Sequence, residues 1–139
     1  MGAITVVFDT NVIISAAGFD GVPEESIIRA FEDDVRVVTS EAALDELDRV
    51  LEYDHLPFDD DAQNDILSAF LHLTDAEIIN PAESLDVFND PDDNKFLECA
   101  IEARGDYLIS GDEHHVQAIE AYRGIQIVSP REFLNEMNG

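Results

Sequence analysis

The chain has 139 residues, the length of one ordinary domain, and 45% of them are hydrophobic, enough for a normal globular core. Seven Lys and Arg residues stand against 32 Asp and Glu residues, a formal net charge of −25. The single cysteine, Cys99, excludes an internal disulfide framework and a multi-cysteine zinc site. No apolar run reaches transmembrane length, and no basic segment with a small-residue cleavage site opens the chain, so we expect one cytoplasmic domain over residues 1–139.

The acidic residues are spread along the chain, which indicates a solvated acidic surface and not an acidic tail. Such a surface repels itself in dilute buffer, and halophilic proteins use this property. We therefore expect a host with a salt-rich cytoplasm. The charge alone argues against a nucleic-acid partner, but at molar salt the Debye length is only about 3 Å, so an acidic surface is compatible with a nucleic-acid substrate.

The first half of the chain alternates apolar runs with helical patterns. Residues 3–8 are rich in β-branched side chains and predict a buried strand. A helix over 23–33 and a strand over 35–39 follow. Ser40 is the expected N-cap of a helix over 41–53, where leucines recur at spacings of three and four.

The alternation continues through the middle of the chain. We expect a helix over 62–73, a short strand over 76–80 and a loop over 81–93, which holds two prolines. A helix over 94–103 and a strand over 106–110 come next. Cys99 falls in this helical pattern, which indicates a buried small hydrophobe and not a catalytic thiol.

The last part of the chain predicts a helix over 113–122, a strand over 125–129 and a final helix. The final helix opens at "SPRE" (129–132), a capping box with proline at the first helical position. The whole alternation predicts an α/β protein: a three-layer α/β/α sandwich with a central parallel sheet of four or five strands. Ligands of such sheets bind beyond the carboxyl ends of the strands.

Acidic residues follow several of these strands. Asp9 ends the first strand, and Asp112 follows the fourth beyond Gly111. Glu46 falls in the second turn of its helix if Ser40 is the cap. About one residue in four is acidic in this chain, so acidity by itself means little. The position of an acid directly after an apolar strand is the informative feature.

A further acidic group precedes the fourth strand, at the start of its helix. Asp90, Asp92 and Asp93 lie in "NDPDDNKF". Carboxylates that converge without basic partners need a cation to neutralise them, and oxygen ligands favour Mg²⁺ or Mn²⁺ over zinc. Such ions activate a bound water for an in-line displacement at phosphorus.

The chain resembles the PIN-domain ribonuclease family, and more narrowly its toxin branch in toxin–antitoxin pairs (VapC-like). Four segments in family order carry the resemblance: "VVFDTNVIISA", "SEAALDELDRVL", "DPDDNKFLECAIEARGDYLISGD" and "SPREFL". The resemblance implies a parallel α/β/α sandwich, a metal-dependent endoribonuclease site, homodimers and a cognate antitoxin. RNA would be the substrate and Mg²⁺ or Mn²⁺ the cofactor, with no membrane partner.

The resemblance also assigns residues. The implied metal-binding and catalytic acids are Asp9, Glu46, Asp93 and Asp112. Asp90 and Asp92 are close enough to replace Asp93 in the alignment. Asn11 matches an amide that would orient the carboxylate of Asp9, and Ser110 would do the same from a hydroxyl position beside the last acid.

Other candidates receive less weight. His114 and His115 are adjacent, so on a helix they point about 100° apart and do not form an i, i+4 metal pair. Lys95 and Arg104 are either phosphate contacts or ion-pair partners, and the acidic surroundings favour the ion pair. "DDD" at 59–61 lacks the glycine and glutamate of a calcium loop and favours the N-terminus of the next helix.

The leading hypothesis is therefore a Mg²⁺- or Mn²⁺-dependent endoribonuclease. The alternative from another class is a non-catalytic protein-interaction or RNA-binding module on the same fold, which metal titration would distinguish. A phospho-accepting receiver domain is disfavoured, since it expects paired acids after the first strand and a lysine after a late strand.

Overall fold

The computed structural model describes residues 4–18, 21–32, 35–53, 58–88, 90–111 and 119–138. Its strands are β1 (Thr5–Phe8), β2 (Arg36–Thr39), β3 (Glu77–Ile78), β4 (Tyr107–Ile109), β5 (Ala121–Tyr122) and β6 (Ile125–Val128). Its helices are α1 (Thr10–Gly18), α2 (Val22–Glu32), α3 (Glu41–Leu51), α4 (Asp60–Thr74), α5 (Asn94–Glu102) and α6 (Pro130–Asn138). A short 3₁₀ turn spans Pro91–Asp93. None of the described helices is long and apolar enough to cross a membrane.

The described strands form one six-stranded sheet in the order β3-β2-β1-β4-β6-β5. All neighbouring pairs are parallel except β5 and β6, which are antiparallel. The prediction of an α/β sandwich around a parallel sheet is confirmed, and the antiparallel edge strand β5 brings the count above the four or five expected. The chain runs outward from β1 to β3 and then crosses back to β4, so the strand order reverses between β1 and β4.

Alternate side chains of the strands enter two separate cores, one on each face of the sheet. Val6 and Phe8 pack on one face together with Ile109, while Val7 and Leu108 pack on the other. Helices α1, α2, α3, α4 and α6 supply side chains to the first core, and α5 supplies most of the helical side chains of the second, together with Ala43 of α3. This period-two alternation is why strands that read as continuous apolar runs are buried on both sides.

Local capping signals set three helix starts, and the caps at Ser40 and Ser129 were predicted. The hydroxyl of Ser40 accepts a hydrogen bond from the Ala43 N–H at 3.1 Å, and the carboxylate of Asp59 accepts one from Ala62 at 2.8 Å. Ser129 and Glu132 bond each other's backbone N–H groups reciprocally. These bonds satisfy donors that a helix start leaves without partners.

Two segments differ from the sequence prediction. Residues 10–18 form α1, a helix that we did not predict. Residues 121–122, which we placed in a helix, form β5 instead. Arg123 (φ 49°) and Gly124 (φ 85°) make the two-residue turn of a hairpin to β6, and positive φ at both positions matches the twist that such a hairpin needs. The rest of the predicted helix, residues 113–118, lies outside the described residues.

Cys99 is fully buried in the core that α5 supplies. This burial raises the pKa of the Cys99 thiol from its ordinary 9.0 to about 12, against a smaller opposing effect of Arg36. The stability that comes from burying the neutral thiol is complete below pH 9 and is lost as the pH rises toward 12. The prediction of a structural cysteine is confirmed.

Candidate active site

The candidate site lies where β1 and β4 end side by side in the middle of the sheet. Asp9 directly follows β1, and Ser110 directly follows β4. The Asp9 N–H donates to the carbonyl of Ile109 at 3.0 Å, which fixes the two strand ends to each other. In open α/β sheets this reversal point of strand order leaves a crevice at the carboxyl ends of the strands, and ligands bind there.

Asp9 is buried, with only 4% of its surface exposed. Its Oδ1 accepts the Val12 N–H at 3.0 Å, which is the bond of a helix N-cap and explains why α1 starts at the next residue. Its Oδ2 accepts the hydroxyl of Ser110, itself fully buried. The positive end of the α1 dipole and these donors stabilise a negative charge that burial alone would disfavour.

Glu46 projects from the second turn of α3 and is held from two sides. Its Oε2 accepts the hydroxyl of Thr10 at 2.5 Å. Its Oε1 is 2.7 Å from Nζ of Lys95, and the two side chains are only 13% and 17% exposed. Thr10 is the residue after Asp9, so its bond to Glu46 holds the carboxylate of Glu46 at the end of β1 that also carries Asp9.

Lys95 is the only lysine of the chain, and it sits at this site. Besides Glu46, its ammonium lies 5.9 Å from the ring centroid of Phe96. The ion pair that the sequence analysis favoured for Lys95 is confirmed. A pair this shielded from water is screened less by salt than a surface pair.

The acidic group before β4 forms a compact turn. Asp90 is exposed, and its Oδ1 accepts the Asp92 N–H at 3.0 Å while its carbonyl accepts the Asp93 N–H. Asp92 is also exposed, whereas Asp93 is half-buried and stands directly before α5. Asp90 thus caps the 3₁₀ turn, and Asp93 is the member nearest in sequence to Lys95.

Asn94 fastens the loop that carries this turn. Its side chain is 5% exposed, and its Oδ1 accepts the N–H groups of Val87 (3.1 Å) and Phe88 (3.0 Å). Phe88 is itself 3% exposed and belongs to the core beneath α5. One amide oxygen therefore fixes the path of the chain into the acidic turn.

Replacing Asn94 by alanine is expected to lower the free energy of unfolding by about 2 kcal/mol, because two backbone N–H groups lose their acceptor and one of them is buried. Urea unfolding measures the loss. Asn80→Ala is the matched control: Asn80 is exposed and accepts a single N–H, that of Glu41. Equal losses in the two variants would contradict the fastening role of Asn94.

The structure forms two sets of contacts, Ser110 with Asp9 and both Thr10 and Lys95 with Glu46. The peptide bond between Asp9 and Thr10 joins the two sets. In the described part of the chain, no three Asp, Glu, His or Cys side chains lie close enough together to hold a metal ion. The predicted fourth acid, Asp112, lies outside the described residues, as do His114 and His115.

Asn11, predicted to orient Asp9, is exposed on the first turn of α1, and that role stays a prediction. Sequence analysis assigned no role to Thr10. The signal available was a hydroxyl residue directly after the strand-end acid, but the bond that defines its role spans 36 residues and cannot be seen from spacing.

A mostly parallel α/β sheet with a buried aspartate at its switch point is typical of proteins with strand-end active sites. Comparison with known proteins makes this specific. The family model described as PIN domain matches residues 5–114, most of the chain, and the chain belongs to the PIN-domain family. It is also 30% identical over 142 residues to an uncharacterised protein of Methanocaldococcus jannaschii, with 96% of this chain and 91% of the relative covered. PIN domains are generally nucleases that act on RNA, typically with divalent metal ions.

Proposed function

We propose that this protein is a Mg²⁺- or Mn²⁺-dependent endoribonuclease that hydrolyses RNA phosphodiester bonds with a metal-activated water. The observation that carries the proposal is the carboxylate of Asp9. It is buried at the strand-order reversal, oriented by Val12 and Ser110, and adjoins the residue that holds Glu46. Membership of the PIN-domain family supports the same activity.

The donor set supports a hard divalent cation. The carboxylates of Asp9 and Glu46 would hold it together with those of Asp93 and Asp112, and carboxylate oxygens are the ligands that Mg²⁺ and Mn²⁺ prefer. When bound, such a cation lowers the pKa of a water and stabilises negative charge at phosphorus. No protein nucleophile is needed for this chemistry.

The residues around the carboxylates prepare them for that task. Ser110 and the Val12 N–H fix one rotamer of Asp9, and Thr10 fixes Glu46 relative to the end of β1. Partners that orient a ligating carboxylate in this way typically change metal affinity or activity by 10- to 100-fold when they are removed. Asp93 would be the third metal ligand, because it is half-buried whereas Asp90 and Asp92 are exposed. The carboxylate of Asp90 is also engaged in capping the turn.

The biological setting that we propose is the toxin of a type II toxin–antitoxin pair in a salt-rich cytoplasm, acting as a homodimer with a cognate antitoxin. A surface feature supports a protein partner. Helices α1, α2 and α4 border a cleft of about 410 Å³ whose lining is mostly apolar, with Ile13, Ile28, Ile66 and Phe70 among the residues. Ile28 is 38% exposed there, so apolar surface is available to an apolar helix face.

Metal dependence tests the proposed function directly. The purified protein is expected to cleave a labelled RNA oligonucleotide at high KCl with Mn²⁺ and to lose cleavage completely with excess EDTA, since the water then has no activating ion. Gel analysis of the products measures the reaction, and restored Mn²⁺ should restore it. If calorimetry detects no binding of Mn²⁺ while the protein still binds RNA, the result would instead support a non-catalytic RNA-binding module.

A further inference from the structure

We infer that Lys95 is a substrate-binding residue that exchanges partners. Its ammonium pairs with Glu46 before the metal ion and the RNA bind, and with a phosphate of the RNA afterwards. This inference rests on the proposed nuclease function. It assigns a role to a side chain outside the acidic set, and it names the group that would draw a polyanion to a chain of net charge −25.

The position of Lys95 is costly without an anionic partner. The residue lies in the first turn of α5, where the helix dipole disfavours a cation. Its side chain is 17% exposed, so most of it has lost contact with water, which also disfavours the charge. The chain has no other lysine, and its remaining cations are six arginines. A lone lysine at a position where both the helix dipole and burial disfavour its charge indicates a specific contact with an anion.

Glu46 serves as the anion for Lys95 only while no other cation neutralises its carboxylate. Its two oxygens are engaged by Thr10 and Lys95, and the pair with Lys95 neutralises it in the described structure. With a divalent cation held by Glu46, the ammonium of Lys95 would face a like charge at close range. A phosphate of the substrate, brought to the same end of the sheet, would then be the anion that balances the charge of Lys95.

The lysine side chain suits such an exchange. A lysine has a flexible four-carbon stem and three donors without a fixed plane, so the ammonium can turn from a carboxylate to a phosphate oxygen while α5 stays in place. Asn94 beside it is buried and anchors the start of the helix. The backbone is therefore fixed, and the movement is confined to the side chain.

Two variants and a control test the inference by RNA binding. Fluorescence anisotropy of a labelled single-stranded RNA is measured from about 0.1 to about 1 M KCl with Ca²⁺ in place of Mn²⁺, and a gel verifies that the RNA stays intact. Lys95→Met is expected to weaken binding about tenfold, the effect of one charge-assisted hydrogen bond. Its salt slope should fall by about 0.7, the value for one phosphate of a single strand. Lys95→Arg should stay within about threefold of the wild type, because it keeps the charge.

Arg123→Met is the matched control. Arg123 is also an ion-paired cation, and its pair with Glu83 is half-exposed. Because Arg123 directly precedes β6, it lies at the amino ends of the parallel strands, whereas the site lies at their carboxyl ends. Its loss should leave RNA affinity and salt slope unchanged. Calorimetry without RNA gives the second readout: Lys95→Met should bind Mn²⁺ at least as tightly as the wild type, since a competing cation is gone.

The outcomes separate this inference from the proposed function. If the wild type cleaves RNA and Lys95→Met keeps its affinity and slope, only the role of Lys95 is overturned. A loss of Mn²⁺ affinity in Lys95→Met without a change in RNA binding would show that Lys95 merely positions Glu46. A wild type that binds RNA but never cleaves it, while Lys95→Met loses affinity and salt slope, overturns the nuclease and supports the phosphate contact. A wild type that does not bind RNA overturns both.

Discussion

Asp9→Asn is expected to reduce RNA cleavage by more than about 100-fold while the fold stays intact. Even the partners of a metal-binding carboxylate contribute 10- to 100-fold, and Asp9 would be the ligand itself. Asparagine has the same shape, keeps an oxygen for the Val12 N–H and presents its amide to the hydroxyl of Ser110. The cap of α1 therefore survives, and only the charge is lost.

Activity and stability have to be measured together for Asp9→Asn. In EDTA the melting temperature should equal or exceed that of the wild type, because a buried carboxylate is replaced by a neutral amide. With Mn²⁺ the wild type should gain stability that the variant lacks. Asp61→Asn, an exposed acid in the first turn of α4, is the control and should cleave normally. Cleavage by Asp9→Asn at the wild-type rate would overturn the role of Asp9.

The second large effect is expected from Phe133→Ala, which should lower the free energy of unfolding by about 3–5 kcal/mol. Phe133 is fully buried and connects α6 to the sheet. Its ring meets Phe8 at 6.4 Å and Tyr107 at 6.0 Å in edge-to-face contacts. Alanine leaves a cavity beneath the centre of the sheet, on the strands that carry the candidate site.

Urea unfolding followed by circular dichroism measures this loss. Phe31→Ala is the matched control, because Phe31 is 53% exposed and its removal should change the free energy of unfolding by no more than about 0.5 kcal/mol. Similar losses for Phe133 and Phe31 would mean that α6 contributes little to the core.

Much of the fold could be predicted because its signals are local. Ser40 and the "SPRE" run lie directly at the helix starts that they cap, and four strands fall inside short apolar runs. Asp9 was singled out for a similar reason, since it interrupts an apolar run at a strand end. These features depend on residues at most four positions apart.

The errors arise where packing overrides local preference. The run Val12, Ile13 and Ile14 is β-branched and resembles a strand, yet the cap from Asp9 and the burial of Val12 and Ile13 against the sheet make it helical. At the other end of the chain, the tight turn at Arg123 and Gly124 ends any helix before β6. A non-glycine residue with positive φ is hard to foresee from sequence.

The site could be predicted only in part for a related reason. Individual acids are visible in the sequence, but the contact between Glu46 and Lys95 spans 49 residues, and that between Asp9 and Ser110 spans 101. Which carboxylate has a cationic partner depends on how α3 and α5 pack, and no spacing rule contains that information.

The two margins of the sheet also constrain how copies of this chain can associate. β3 and β5 are two residues long, too short to template a continuous ladder with another molecule. Glu77 adds a charge at one margin, and Arg123 and Gly124 turn the chain back at the other. Self-association by strand addition, including growth into fibrils, is thereby disfavoured. The homodimer that we propose would therefore form through helices and not by continuing the sheet.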